Sequence, residues 1–319
     1  MEKPSANDHG LVLVLGGGGA PGLAHIGVLQ VLAENGIPIR AVVGTSIGAE
    51  IGAFIASGMP VEELVALATT FDWKQTLQLF IPDLPAGGLV SGKRIMDFLN
   101  GKLGARNIEE LSMGYAAVTT DLETGKEVII DRGGLVDAVR ASISIPGLIA
   151  PFRVGKQWLI DGGVLNPVPV DVAYARFGGP VLAVAVHTAA RIHGKMKLVP
   201  VSEGWPARAR LLLQQPWMQY AKAFREWLES QLDEYQKDQK NKPAWSARQV
   251  LDQAMNITQA EIVRLRADKR PSDLMLMPDV GRVGMLDFYR GKEAIAAGRA
   301  EAREKIQEIK GLLEKKNSG

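Results

Sequence analysis

Leu11-Val12-Leu13-Val14-Leu15 is an unbroken apolar run. That is the pattern of a strand covered on both faces of a parallel sheet, since a strand with one wet face would alternate. A glycine-rich stretch follows, Gly16 to Gly22. Leu23 to Asn35 then carries its apolar residues at helical spacing, and Gly36 closes it. With a second strand over Ile39 to Val43, the N-terminal segment predicts a βαβ unit. This second strand runs into Gly44-Thr45-Ser46-Ile47-Gly48. Ile47 to Ala56 leaves that turn as a helix ending near Ser57-Gly58, and Pro60 starts another with Glu62 and Glu63 in its first turn.

Phe71 to Gly88, with Pro82, Pro85, Gly87 and Gly88, reads as a loop, and Ser91 to Leu99 as a helix. Tyr115 to Thr120 and Glu127 to Ile130 read as strands about a hairpin-like connection, Asp121 to Gly125. Leu135 to Ser142 is helical and stops before Pro146. Gln157 to Ile160 and Val181 to Val186 are further strands. Such alternation predicts an α/β fold of three layers, αβα, with a mainly parallel central sheet.

From Gly194 the texture changes. Trp205 to Asp238 has helical spacing, with Leu213, Trp217, Tyr220, Phe224 and Trp227/Leu228 on one face. Gln236 to Pro243 is a polar break, Gln249 to Ala267 a second amphipathic helix, and Leu274 to Met277 a last strand. Ile295, Ala302, Ile306, Ile309 and Leu313 mark a C-terminal helix. The expected organisation is one domain over 1–319: a core over 10–190, a helical insertion or lid-like segment over 195–245, and a completing segment over 246–319. The 205–238 stretch is aromatic and locally basic (Arg208, Arg210, Lys222, Arg225). It reads either as a helix touching anionic membrane surfaces or as an amphipathic helix packed on the sheet.

Composition narrows the chemistry. A net charge of +2 over 319 residues gives no basic field for nucleic acid. With no cysteine, thiolate catalysis and cysteine metal sites are excluded. The four histidines (His9, His25, His187, His193) lack H-x-x-x-H spacing, so no metal or cofactor is expected. The polar start, Met1 to Gly10, has no apolar export segment. The expectation is a cytoplasmic protein, with peripheral contact to the inner membrane face through 205–238 as the membrane option.

Gly44 to Gly48 is a G-x-S-x-G between a strand and a helix, the setting of a nucleophile elbow. There the residues two before and two after the serine have no room for Cβ atoms. The bland counterpart is a tight turn in which Ser46 merely caps a helix. Gly17, Gly19 and Gly22 form a G-x-G-x-x-G, which invites a dinucleotide reading. That reading needs an acid at the end of the next strand, where this chain has Gly44-Thr45-Ser46. The alternative is that successive glycines leave peptide N–H groups bare beside the serine, as an oxyanion hole requires. For a base, Asp161 stands at a strand end before Gly162 and Gly163. His187, ending the strand from Val181, is the rival, because the order Ser46, Asp161, His187 is that of an α/β-hydrolase triad.

Together, Gly16 to Gly22 followed by Leu23 to Leu29, the elbow Gly44 to Gly48, the loop Ala141 to Gly147 and Asp161-Gly162-Gly163 resemble the patatin-like phospholipase family, in its bacterial cytosolic branch. The resemblance covers Gly10 to His187 and resumes weakly at Met277 to Val280 and Leu286 to Phe288. It implies a lipid acyl hydrolase or esterase acting on hydrophobic carboxylic esters, phospholipids or lysophospholipids among them, without a cofactor. Ser46 would be the nucleophile and Asp161 the base, with the amides of Gly18, Gly19 and Ile47 as oxyanion hole. Two positions depart from the family. Pro21 stands where a basic residue is usual, and Glu50, four residues after Ser46, replaces a small or apolar one; a surface salt bridge is the expectation for Glu50. A carboxylesterase using His187 and a non-catalytic regulatory protein of the same fold are the alternatives.

Overall fold

The computed structural model describes residues 10–70, 87–186, 226, 229–230, 247–281 and 283–317. The chain divides into two compact units, one of Met1–Arg191 with Thr258–Gly319 and one of Ile192–Ile257.

The first unit is built on an eight-stranded sheet. Its strands are β1 (Leu11–Leu15), β2 (Ile39–Thr45), β4 (Gly114–Asp121), β5 (Glu127–Ile130), β7 (Phe152–Val154), β8 (Gln157–Asp161), β9 (Val181–Val184) and β10 (Leu274–Leu276). They run in the order β10-β9-β1-β2-β4-β8-β7, with β5 also paired to β4. From β10 to β4 every neighbour is parallel, whereas β5, β8 and β7 pair antiparallel. Two further short strands, β3 (Gly88–Val90) and β6 (Gly147–Ile149), form a separate parallel pair. The mainly parallel sheet and the alternation of helices with strands are as the apolar pattern predicts.

Burial explains why β1 shows no alternation. Leu11, Leu13 and Leu15 belong to one apolar cluster and Val12 and Val14 to another, and all five are fully buried. Residues of β2, β4 and β9 divide the same way, Val42, Tyr115 and Leu182 to one side and Val43, Ala116 and Ala183 to the other. One layer holds α1 (Ala24–Glu34), α2 (Ile47–Ala56), α3 (Val61–Thr70), α4 (Lys93–Leu103), α5 (Leu135–Ser142), α8 (Gly291–Glu304) and α9 (Ile306–Asn317). Residues of α6 (Val170–Phe177) and of α7 (Ala247–Lys269) pack on the other face. The three layers follow from this two-sided burial.

Several elements lie beyond the apolar pattern. The sequence does not single out α6, and β3, β6 and β7 have only three residues each. Such short strands are defined by their partners, not by their own periodicity. Helix α4 begins and ends later than Ser91 to Leu99 suggests, because Gly92 takes φ 79 at its N-cap and Gly104 closes it at φ 68. Within the first unit, Gly27 of α1 and Gly298 of α8 let these helices touch backbone to backbone. A Cβ at Gly298 would drive into the Ala24 carbonyl, and one at Gly27 into that of Ile295.

The loop expected over Phe71 to Gly88 lies outside the described residues as far as residue 86. The 205–238 segment lies outside them but for Glu226, Glu229 and Ser230. Among the described residues no helix is long and apolar enough to cross a membrane.

Candidate active site

Strand register brings Ser46 and Asp161 together. Strand β2 pairs with β4 up to Thr45 opposite Val118. In the next slot along β4, Thr119 faces Asp161. Because β5 occupies the other edge of β4 over these same residues, β8 must take over the edge that β2 vacates. The chain leaving β2 at Ser46 therefore meets the end of β8 head on. A strand-end acid in a parallel sheet would rise from the same direction as the serine. Asp161 instead arrives antiparallel, from beyond the sheet edge, and Gly162 allows the approach, since a Cβ there would press on the Val118 carbonyl.

Ser46 has φ 56 and ψ −126, and among the described residues it is the one non-glycine with positive φ. Holding a side chain there costs on the order of 1–3 kcal/mol. The turn is also crowded: a Cβ on Gly48 would strike the Leu15 carbonyl, and one on Gly44 the backbone of Gly48 and Ala49. Although Ser46 stands at the N-cap of α2, its hydroxyl caps nothing. It lies instead against the Asp161 carboxyl, close enough to favour its charged form. The helix-capping alternative is thereby excluded. The Ser46 N–H is held separately, donating to Ser142 Oγ at 2.9 Å, and the Ser142 hydroxyl donates in turn to the Val118 carbonyl at 2.7 Å.

Asp161 is buried and accepts a hydrogen bond from the Gly163 N–H at 2.7 Å. Burial pushes its pKa up to about 6, against the opposing pull of the Ser46 hydroxyl and the Gly163 amide. Its own N–H donates to the Ser144 carbonyl at 3.0 Å. The loop behind both residues is pinned by Arg140, itself buried, which donates to Ser144 Oγ at 2.6 Å and to the carbonyls of Ser91 and Ala150 at 2.8 and 3.0 Å. Its guanidinium also lies 5.2 Å over the Phe152 ring. Ser142, Ser144 and Arg140 escaped the sequence reading as individuals, although Ala141 to Gly147 stood out as a block.

The glycine stretch closes the site from the β1 side. The N–H groups of Gly16, Gly17, Ala20 and Gly22 are spent on Val184, Pro167, Met285 and Gly19 carbonyls. Among the described residues, the N–H groups of Gly18, Gly19 and Ile47 have no acceptor. Gly17 packs so closely that a Cβ would sit 3.4 Å from that of Ser46, and Gly22 lies against Ile47. His25, fully buried, binds the Gly16 carbonyl through Nε2 at 2.7 Å. Desolvation lowers its pKa to about 4, so it is a neutral fixture of the loop. Pro21 is buried in a short 3-10 turn, Ala20–Leu23, at a position where its missing N–H is not needed, so residue 21 brings no charge to the serine.

A cavity of about 120 Å³ opens beside the serine. Ser46, Ile47 and Gly19 line it together with apolar side chains from α1 to α5, including Ile26, Phe54, Leu64, Phe98 and Ile143. Phe288 closes it from the segment where the sequence resemblance resumes. Ile145 and Ile149, from the segment before β8, line it as well. Trp158 of β8 is not part of the lining: it is 42% exposed, with Arg153 5.9 Å over its ring. Glu50 differs from expectation. It forms no salt bridge among the described residues and lines the cavity, where desolvation raises its pKa to about 7. His187, the rival base, lies outside the described residues. Among those residues no group of three or more His, Asp or Glu side chains could hold a metal ion.

The chain is similar to known proteins. Residues 13–174 match the family model of the patatin-like phospholipases. It is 31% identical over 329 aligned residues to an uncharacterized NTE family protein of Mycobacterium tuberculosis, covering 93% of this chain and 91% of that one. It is 36% identical over 179 residues to the neuropathy target esterase sws of Drosophila melanogaster, covering 54% of this chain and 13% of the fly protein. The solved structure of VipD from Legionella pneumophila aligns with 97% of this chain and 68% of its own at a TM-score of 0.45 and 15% identity. By the family match and the near full-length relative, the chain belongs to the patatin-like phospholipase family, a family of lipid hydrolases.

Proposed function

We propose that this protein is a serine acyl hydrolase that cleaves hydrophobic carboxylic esters, phospholipids or lysophospholipids among them, through a Ser46–Asp161 dyad. The observation that carries this reading is the Ser46 hydroxyl: it sits on a strained backbone, declines the helix cap open to it, and lies against a buried carboxyl. A serine needs a base to act as a nucleophile. An ordinary carboxylate with pKa about 4 is a poor one, and burial lifts Asp161 by about two units toward the working range.

In the reaction, Asp161 takes the Ser46 proton as Oγ attacks the ester carbonyl. The N–H groups of Gly18, Gly19 and Ile47 receive the oxyanion of the tetrahedral intermediate, and the field at the N-terminus of α2 adds to them. The intermediate expels the alkoxide, which leaves as the alcohol with the proton from Asp161. Water then gives its proton to the carboxylate and attacks the acyl-enzyme. The acid departs and Ser46 recovers its proton. The apolar cavity beside Ile47 receives the acyl chain.

Labelling with a fluorophosphonate probe tests this directly. The wild-type protein is expected to carry one covalent adduct on Ser46, with Ser46→Ala unlabelled and Asp161→Asn labelled at least a hundredfold more slowly. An unlabelled wild-type protein would favour the non-catalytic alternative.

A further inference from the structure

Glu50 is the one acidic group in an otherwise apolar cavity wall. No hydrogen bond or ion pair meets its carboxyl among the described residues. Tyr115, which feels the Glu50 charge, has its hydroxyl proton committed to the Ala49 carbonyl at 2.9 Å. Glu50 is half-buried, and a carboxyl set among apolar side chains without a partner costs free energy that a leucine of similar size at this position would avoid. Whatever displaces water from the cavity must bond this carboxyl or leave it bare.

Its place on α2 says where. Glu50 lies one helical turn beyond Ser46, about 6 Å along the axis, and helical side chains lean back toward the N-terminus. The carboxyl therefore overhangs the first part of an acyl chain whose carbonyl carbon is bonded to Ser46 Oγ. We infer that Glu50 selects acyl chains carrying a hydroxyl in their proximal segment, and that the cavity discriminates against plain alkanoyl chains of the same length. This inference rests on the hydrolase reading and assigns its substrate class. The hydroxyl hydrogen-bonds the carboxyl, whereas an alkyl chain would strip it of water and return nothing. A site built to bond a substrate hydroxyl rejects the analogue lacking it more strongly than an apolar pocket rejects an added hydroxyl.

The experiment compares kcat/KM for the p-nitrophenyl esters of hexanoate, 3-hydroxyhexanoate and 6-hydroxyhexanoate in the wild-type protein, Glu50→Gln and Glu50→Leu. The wild-type protein is expected to favour the 3-hydroxy ester over hexanoate by tenfold or more, and over the 6-hydroxy ester, whose hydroxyl lies at the far end of the chain. A preference for the 6-hydroxy ester alone counts against the inference. Glu50→Gln, which keeps a hydrogen-bonding head, should retain that preference, and Glu50→Leu should reverse it in favour of hexanoate. A ratio unchanged by Glu50→Leu, or a wild-type preference for hexanoate, overturns the inference and leaves the hydrolase reading standing. No turnover of any of the three esters by the wild-type protein overturns both.

Discussion

If burial holds the Asp161 carboxyl near pKa 6, that ionisation must register in stability as well as in catalysis. Between pH 3.8 and about 6 the folded protein keeps a proton on Asp161 that the unfolded chain has already released. Stability rises with pH only where the unfolded state binds more protons; here the folded state does, so stability falls as pH climbs through this window. A rise of about two units at 1.36 kcal/mol per unit makes the loss about 3 kcal/mol, complete above about pH 6. Asp161→Asn removes the titration while keeping an oxygen to accept the Gly163 N–H. The expected result is that the variant gains about 3 kcal/mol on the wild-type protein between about pH 4 and 7.5, measured by urea unfolding at matched m-values. Glu50 and the surface groups titrate in both proteins and cancel in the difference. The same ionisation governs the base, so kcat/KM of the wild-type enzyme for an activated ester should rise with pH to a plateau with a midpoint near 6. A stability difference that does not change with pH would refute the argument. So would an activity midpoint near 4, the value of a carboxylate in water.

Two further substitutions probe the frame. Ser142→Ala removes the acceptor of the Ser46 N–H and leaves a buried donor unpaired at the strained turn, at a cost of about 2 kcal/mol. It should lower kcat roughly tenfold while KM stays within twofold, because it displaces the serine and not the cavity; steady-state kinetics with an equilibrium melt checks both. Gly298→Val pushes a branched side chain into the Ala24 carbonyl where α1 and α8 touch. A loss of about 3 kcal/mol in urea unfolding is expected, with fluorophosphonate labelling of Ser46 per folded molecule unchanged.

What the sequence reveals follows from which signals are local. The Leu11 to Leu15 run is legible because both faces are buried, and the turn at Ser46 because its glycines answer contacts within the same βα unit. Asp161-Gly162-Gly163 taken alone reads as a turn, and the family resemblance singles it out. Its pairing opposite Thr119, in the slot beside Thr45, depends on strand β8 running backward along an edge that β2 leaves empty. No periodicity within five residues encodes that direction. Glu50 fails in the same way: spacing places it one turn after Ser46, but which side of α2 faces a cavity is decided by α3, α4 and α5 packing around it. Ser142 is legible only as a member of a block, since its partners lie 24 and 96 residues away at Val118 and Ser46.

The distribution of cost argues against a protein that keeps this fold only as a frame. Three features at or beside the cavity each lower stability, and the fold needs none of them. Ser46 holds a positive φ that glycine would adopt freely. Above about pH 6, Asp161 carries a buried charge that asparagine would avoid. Glu50 turns an unpartnered carboxyl into an apolar cavity that leucine would fill. At on the order of 1–3 kcal/mol each, they amount to a sizeable part of the 5–15 kcal/mol by which a folded domain exceeds its unfolded chain. Elsewhere in the first unit the core divides between its two faces, and the buried Arg140 makes three hydrogen bonds, its Nε alone finding no partner among the described residues. Strain gathered where a hydroxyl meets a carboxyl beside three unbonded amides is what a reacting centre requires, and a scaffold with no reaction to perform has no physical reason to hold it there.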